Sequence, residues 1–345
     1  MFLIDEYTPK DIDDVLFHED IYKLLKNMST DKSIPHIIFH GPPGSGKKTM
    51  VNIFLSMVFN KKIYDMYDVD YEVTGSSSKT KIETLRRSDY HIVIKPKNTN
   101  YDRYLLQEVV KKYAKTLEFM DNDTDKTFRV IQINNLDDFT YYAQTSLRRT
   151  MENYSNKCRF VMWCNSLSKI IRPIQSRCIC IRLPALSEID TLKYVCDILA
   201  HEKKKLSLRH VNDIIDTSKG HTKNALWALN MKLLDMDTRS DYDGVIDILV
   251  NQMIRKQIDA IHSIRNKIFN LYITTIPFEK IMEDLIDKLV NHPSIDGKTA
   301  TQIIVEVAGV EHCLMRCRRA IISFDKIVIT IMRVIHRNNM ADKKN

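Results

Sequence analysis

The sequence predicts a doubly wound α/β domain with a parallel sheet, followed by two helical segments. Short apolar runs recur at Ile37–Phe39, Tyr90–Ile94, Val130–Ile133, Phe160–Trp163 and Cys178–Ile181, with helical stretches between several of them. Buried strands alternating with helices have this pattern. Gly41, Gly44 and Gly46 fall within six residues of a chain that has only eight glycines, and they separate the first run from a helical stretch. Beyond Pro184 no strand-like run appears, and apolar residues return at spacings of three and four.

Taken in order, Ile37–Phe39 reads as a strand and Lys48–Phe59 as a helix with Met50, Val51, Phe54, Leu55 and Val58 inward. Further helices are expected at Asp102–Phe119 and Tyr141–Glu152, and the α/β unit ends near residue 184. Glu188–Ala200, His210–Thr217 and Lys223–Leu234 read as three short helices, a small helical domain over 185–238. A polar, turn-rich joint at Arg239–Gly244 opens the last domain, 239–345, in which roughly 245–338 reads as all helix.

Composition narrows the function classes. Hydrophobic residues make up 44% and charged residues 28% of the 345 residues, which excludes a disordered tail, a collagen and a disulfide-stapled miniprotein. No apolar run reaches the roughly 18 residues a membrane span needs. The N-terminus lacks a secretory signal pattern. Seven cysteines, an odd number, argue against a disulfide framework and for a reducing compartment. The net charge of +8 favours a polyanionic partner, and residues 79–115 concentrate ten Lys/Arg against four Asp/Glu.

Gly41-Pro42-Pro43-Gly44-Ser45-Gly46-Lys47 is a phosphate-binding loop in a strand–turn–helix context. Glycines let successive N–H groups face one concavity, the helix N-terminus adds partial positive charge, and Lys47 reaches the β/γ-phosphates. The next residue is ordinarily a Ser or Thr that holds Mg²⁺. Here it is Lys48, and the hydroxyl of Thr49 stands ~100° further round the helix. A later strand ordinarily ends in two carboxylates, one for the metal and one for the attacking water. Val130–Ile133 ends in Asn134-Asn135, and amides are weak Mg²⁺ ligands and very poor bases. Asp137 and Asp138 are expected to lie beyond reach. The residues therefore predict a chain that binds ATP, or retains ADP, with little or no hydrolysis and with Mg²⁺ doubtful. An ATP-hydrolysing subunit with an unusual metal shell is the alternative.

At this point the chain resembles the small subunits of replication factor C, the AAA+ clamp loader. Asp5-Glu6-Tyr7-Thr8-Pro9 resembles the N-terminal box, and Pro35-His36 leads into the phosphate loop. The block from Ala143-Gln144 to Leu147-Arg148-Arg149-Thr150-Met151-Glu152 is highly specific. Cys164-Asn165-Ser166 is similar to the sensor 1 strand end and Ser176-Arg177-Cys178 to the SRC motif. The chain is most similar to the branch whose loop reads GKKT and whose own ATP site is degenerate; Ser76–Lys79 through Asp89–His91 also resembles that branch.

The resemblance implies an AAA+ domain, a helical lid domain and a helical collar domain. It implies that Asn165 senses the γ-phosphate and that Lys223 stands where a sensor 2 arginine is usual. Arg177 becomes an arginine finger acting in trans on a neighbour's ATP; on spacing alone it reads equally as a solvated arginine. The implied partners are the other subunits of a hetero-pentamer, a sliding clamp and primer–template DNA. The implied location is the nucleus of a cell, or the site of viral DNA replication. A loader for a helicase or a checkpoint clamp remains open, whereas a nucleotide kinase is disfavoured, since nothing resembles a lid arginine cluster.

Lys111, Lys112 and Lys115 lie together opposite the apolar face of the 102–119 helix. Such a face binds DNA phosphates without reading sequence, or is simply solvated. Arg148 and Arg149 are expected at an intersubunit surface. Cys158, Cys164, Cys178 and Cys180 have no regular ligand spacing and read as core residues rather than a metal set.

Overall fold

In the computed structural model the described residues are 3–31, 33–59, 61–75, 80–97, 101–115, 128–234, 236, 241–255, 260–274, 276, 278–314 and 320–341. The chain divides into two compact units, Met1–Thr238 and Arg239–Asn345.

In the first unit seven strands form one sheet: β1 Ile37–His40, β2 Tyr67–Thr74, β3 Thr80–Arg87, β4 His91–Ile94, β5 Arg129–Ile133, β6 Cys158–Cys164 and β7 Ile179–Arg182. Their spatial order is β2-β3-β4-β5-β6-β1-β7. From β4 to β7 every pairing is parallel; β2 and β3 form an antiparallel hairpin at one edge. Next to the β7 edge, Ile37 of β1 is level with Val161 on one side and Ile179 on the other.

Alternation along these strands feeds two separate apolar layers. Ile38, Ile131, Ile133, Phe160 and Met162 face α4 (Asp102–Lys115) and α5 (Tyr141–Asn153). Ile37, Phe39, Val130 and Val161 face α2 (Glu19–Thr30) and α3 (Lys47–Phe59).

Three helices follow the sheet: α7 Glu188–His201, α8 Leu208–Ser218 and α9 Thr222–Leu233. They gather their own cluster around Val195, Ile198, Ile214 and Leu229. A short N-terminal helix, α1 (Leu3–Glu6), joins this cluster through Leu3. Ser187 caps α7 and Ser207 caps α8, each accepting from the backbone N–H three residues on.

The second unit consists of α10 Asp241–Ile254, α11 Ala260–Ile273, α12 Phe278–Val290, α13 Gly297–Leu314 and α14 Ala320–Ala341, packed around Ile246, Met253, Ile281, Ile303 and Ile331. Among the described residues no helix is long and apolar enough to cross a membrane.

Several expectations need correction. The β2–β3 hairpin and α2 were not foreseen. The hairpin's first strand, Tyr67-Asp-Val-Asp-Tyr-Glu-Val-Thr74, does alternate, with Tyr71 and Val73 buried. Its second strand buries Leu85 beside a charged residue, Glu83, which defeats a hydrophobic search. Glu83 is neutralised by Lys81 at 2.6 Å and by Lys97. The run Cys178–Ile181 is not a buried strand: β7 is the sheet edge, and Ile179 and Cys180 are exposed. The polar joint is partly helical, since α10 begins at Asp241. The expected extension of α4 to Phe119, and the segment Ser76–Lys79, lie outside the described residues.

Candidate nucleotide-binding site

The phosphate loop runs from the end of β1 into α3. Gly41 and Gly44 are required there for different reasons. A Cβ on Gly41 would stand 1.9 Å from the Leu183 carbonyl oxygen. Gly44 has φ +77°, and a Cβ there would lie 2.2 Å from the ring of His221. Helix α9 thus begins directly on the loop: the Thr222 hydroxyl donates to the Gly44 carbonyl at 2.7 Å and the Thr222 N–H at 3.2 Å.

Lys47 is buried, and its ammonium donates to the carbonyls of Gly41 (2.8 Å) and Pro42 (2.5 Å). It also lies 5.8 Å from the centre of the Trp163 ring. Burial lowers its pKa, and the nearby Asp137 carboxylate works against that. Ser45 donates its hydroxyl to the Pro42 carbonyl at 3.0 Å.

A cavity of about 530 Å³ opens beside the loop, within the roughly 300–1,000 Å³ usual for small-molecule sites. Pro43 to Thr49, Asn135, Trp163, Asn165 and Lys223 line its phosphate end. Tyr7, Phe17, His18, Tyr22, Tyr194 and Leu226 line the other end, which is aromatic and apolar and suited to a nucleobase. Phe17 meets Tyr194 edge-on at 5.7 Å. Burial lowers the pKa of His18 and so favours its neutral ring, with Asp190 opposing. These aromatic residues come from α2, the segment before it, and α7. No local motif marks them, because the chain separates Phe17 from Tyr194 by more than half its length.

The metal corner is built from amides. Asn134 is buried at the end of β5, and its side-chain oxygen accepts from Gln132 Nε2 at 3.1 Å and from Trp163 Nε1 at 2.9 Å. Both lone pairs of that oxygen are thereby engaged. Asn135 is in the left-handed region (φ 50°) and donates to Asp138 at 2.9 Å. Asp137 does not line the cavity. It turns back to the end of β6, where its Oδ2 accepts from the N–H groups of Asn165 (3.1 Å) and Ser166 (3.2 Å), and its charge reaches Lys47. The chain can do this because the 3-10 turn Leu136–Asp138 reverses it immediately after β5. These residues do not fit a bound Mg²⁺: its two usual carboxylates are amides, and its usual hydroxyl is the ammonium of Lys48. They do fit a nucleotide, through the loop N–H groups, Lys47 and the aromatic end.

The loop residues, Asn165 and Lys223 therefore come together around one cavity. Arg177 does not join them. It is exposed after the short helix α6 (Arg172–Gln175), with its guanidinium on the Pro173 carbonyl (2.7 Å) and on Glu152 Oε1 (2.5 Å). Arg148 reaches the same carboxylate at 3.8 Å. The lysines of α4 also stand apart from the cavity. Lys111 and Lys115 are exposed, and Lys112 donates to the Glu72 carbonyl of β2 at 2.7 Å. Cys164 lies buried at the end of β6, and burial pushes its thiol up to about 12.

The sequence model described as "DNA polymerase III, delta subunit" matches residues 17–187. A replication factor C small subunit of Acanthamoeba polyphaga mimivirus is 37% identical over 99% of this chain and 94% of its own length. Replication factor C subunit 5 of Neurospora crassa is 30% identical over 98% of each chain. Among solved structures, the Holliday junction branch migration motor RuvB of Thermotoga maritima matches at TM-score 0.47 and 13% identity, covering 71% of this chain and 79% of that one. At 37% and 30% identity to these two replication factor C subunits over nearly its full length, the chain belongs to the replication factor C small-subunit family.

Proposed function

We propose that this chain is a clamp-loader subunit that binds ATP, hydrolyses it little or not at all, and completes a neighbour's active site with Arg177. Family membership supports the loader role. The observation that carries the rest is the metal corner, where Asn134 is saturated by Gln132 and Trp163 and where Lys48 replaces a hydroxyl.

In this reading residues 1–184 are the AAA+ domain, 185–238 the lid and 239–345 the collar that joins the other subunits of a hetero-pentamer. Asn165 and Lys223, both on the cavity wall, meet the γ-phosphate. Arg177, exposed and remote from its own loop, is held by Glu152 until a neighbouring nucleotide replaces that carboxylate. A guanidinium on a γ-phosphate is worth about 10³–10⁵ in rate. Lys111, Lys112 and Lys115 track DNA phosphates. The loader acts on a sliding clamp and primed DNA, in the nucleus or at a viral replication site.

The alternative is a subunit that turns over its own ATP. It draws on one observation: Asp137 Oδ1 is buried without a hydrogen-bond partner among the described residues. The two readings separate in the reconstituted loader, assayed for clamp- and DNA-stimulated ATPase. Arg177→Ala is expected to cut turnover at the neighbouring site by about 10³-fold, with Lys47→Ala nearly silent. A damaging Lys47→Ala with a silent Arg177→Ala reverses the assignment.

A further inference from the structure

Lys48, at the start of the helix that follows the phosphate loop, feels the charges of three basic side chains from three other elements. Lys48 stands on the first turn of α3, Arg86 near the end of β3, Lys95 just past β4 and Lys223 on the first turn of α9. Lys48 and Lys223 line the cavity itself. The charges of Lys95, Lys223 and Arg86 all act on Lys48, and together with partial burial, the larger cause, they lower its pKa. Such mutual repulsion is stable only with anions between the cations or solvent around them.

The acidic groups do not balance this cluster. Asp5 is the one acidic residue among the cavity's lining residues, and it belongs to the N-terminal segment that also supplies Tyr7 at the aromatic end. Asp137 is not on the cavity wall; one of its oxygens is taken by two backbone N–H groups. Asp68 lies 3.9 Å from Arg86, with both side chains exposed. The neutral ligands are used as well. Asn134 has given both lone pairs, and Ser45 donates into its own loop. Approach of a dication to this corner is opposed by the charges of Lys48 and Lys223, and Asp5 is the one carboxylate on the wall to attract it.

We propose that the site takes its nucleotide as the free polyphosphate anion, with Lys48 and Lys223, backed by Lys95 and Arg86, in place of the divalent cation. The proposal rests on the nucleotide-binding reading and names the ionic form that the site selects. Chelation by Mg²⁺ removes two negative charges from the ligand and sets a hydrated dication against Lys48. The metal complex is therefore the poorer ligand here, the reverse of an ordinary phosphate loop. Trp163 takes part by holding the Asn134 oxygen away from any metal while its ring faces Lys47.

The test is equilibrium dialysis of the full-length chain against labelled ATP, and separately ADP, in EDTA and in excess Mg²⁺ at matched ionic strength. Binding is expected to be at least as tight in EDTA as in Mg²⁺. Lys48→Ala combined with Lys223→Ala is expected to weaken free ATP by about tenfold or more and the Mg²⁺ complex by less. Both side chains are exposed, so the fold tolerates the change, and Lys95→Ala, outside the cavity wall, provides a second and milder variant. Affinity that rises with Mg²⁺ overturns the proposal and leaves nucleotide binding intact. Retention of neither nucleotide under either condition overturns the nucleotide-binding reading, and this proposal with it.

Discussion

Single residues set the chemistry of this chain by what their atoms are already bonded to. The Asn134 oxygen illustrates the point: it is lost as a metal ligand because two neighbouring donors claim it, in addition to being an amide. His91 shows the same logic in the core. It is buried on β4, its Nδ1 lies 2.6 Å from the Ser88 hydroxyl, and burial pushes its pKa down to about 4. The unfolded ring takes a proton near the ordinary value of about 6.5, whereas the folded one refuses it. Its contribution to stability is therefore complete above that ordinary value and is lost as pH falls toward about 4. At about 1.4 kcal/mol per pH unit, chemical denaturation should find a loss of roughly 2–3 kcal/mol from this group between pH 7 and 4.5. In His91→Gln that part of the slope should vanish. An unaltered slope would show that the ring titrates normally.

At the scale of elements, α4 carries a basic face whose members have different surroundings. Lys112 is tied to the β2 backbone, while Lys111 and Lys115 extend into solvent. Charge reversal at Lys111 and Lys115 should therefore weaken DNA-stimulated ATPase of the loader and reduce its salt slope by about two counterions. A salt slope equal to the unaltered protein's would assign the face to solvent. Elements also differ in how clearly the sequence announces them. The helices α3, α5 and α7 stand within a residue or so of expectation, because an apolar stripe and a cap or loop motif agree at each. The hairpin β2–β3 escaped because its burial is shared between apolar residues and the ion-paired Glu83. The edge strand β7 was expected to be buried because Cys178-Ile-Cys-Ile181 is apolar, and a sequence does not state which strand stands last in a sheet.

For the whole molecule, the division into two compact units sets the final prediction. The first unit contains the sheet, the phosphate loop, helices α7–α9 and the entire cavity. Residues 239–345 have a separate apolar core around Ile246, Ile281 and Ile331. A chain ending at Thr238 is expected to retain nucleotide and to fail to assemble with the other loader subunits, as read by size-exclusion chromatography of the mixed subunits. Normal assembly by the shortened chain would remove the collar role from the second unit.

The sequence by itself determined the phosphate loop, the amide substitutions after β5, the ammonium at position 48 and the separate placement of Arg177 in its own motif. Each is a matter of residue type at a fixed local spacing, which the backbone geometry of a turn or a helix converts directly into position. Tertiary structure alone decided the aromatic residues of the cavity, the return of Asp137 to the end of β6, the bond of Trp163 to Asn134 and the place of Lys48 and Lys223 on one cavity wall. Those arrangements join residues tens to hundreds of positions apart. They arise where parallel strands bring their ends to one edge of the sheet and α9 is docked on Gly44. No periodicity along a chain encodes which of its distant polar atoms will share a hydrogen bond or a charge.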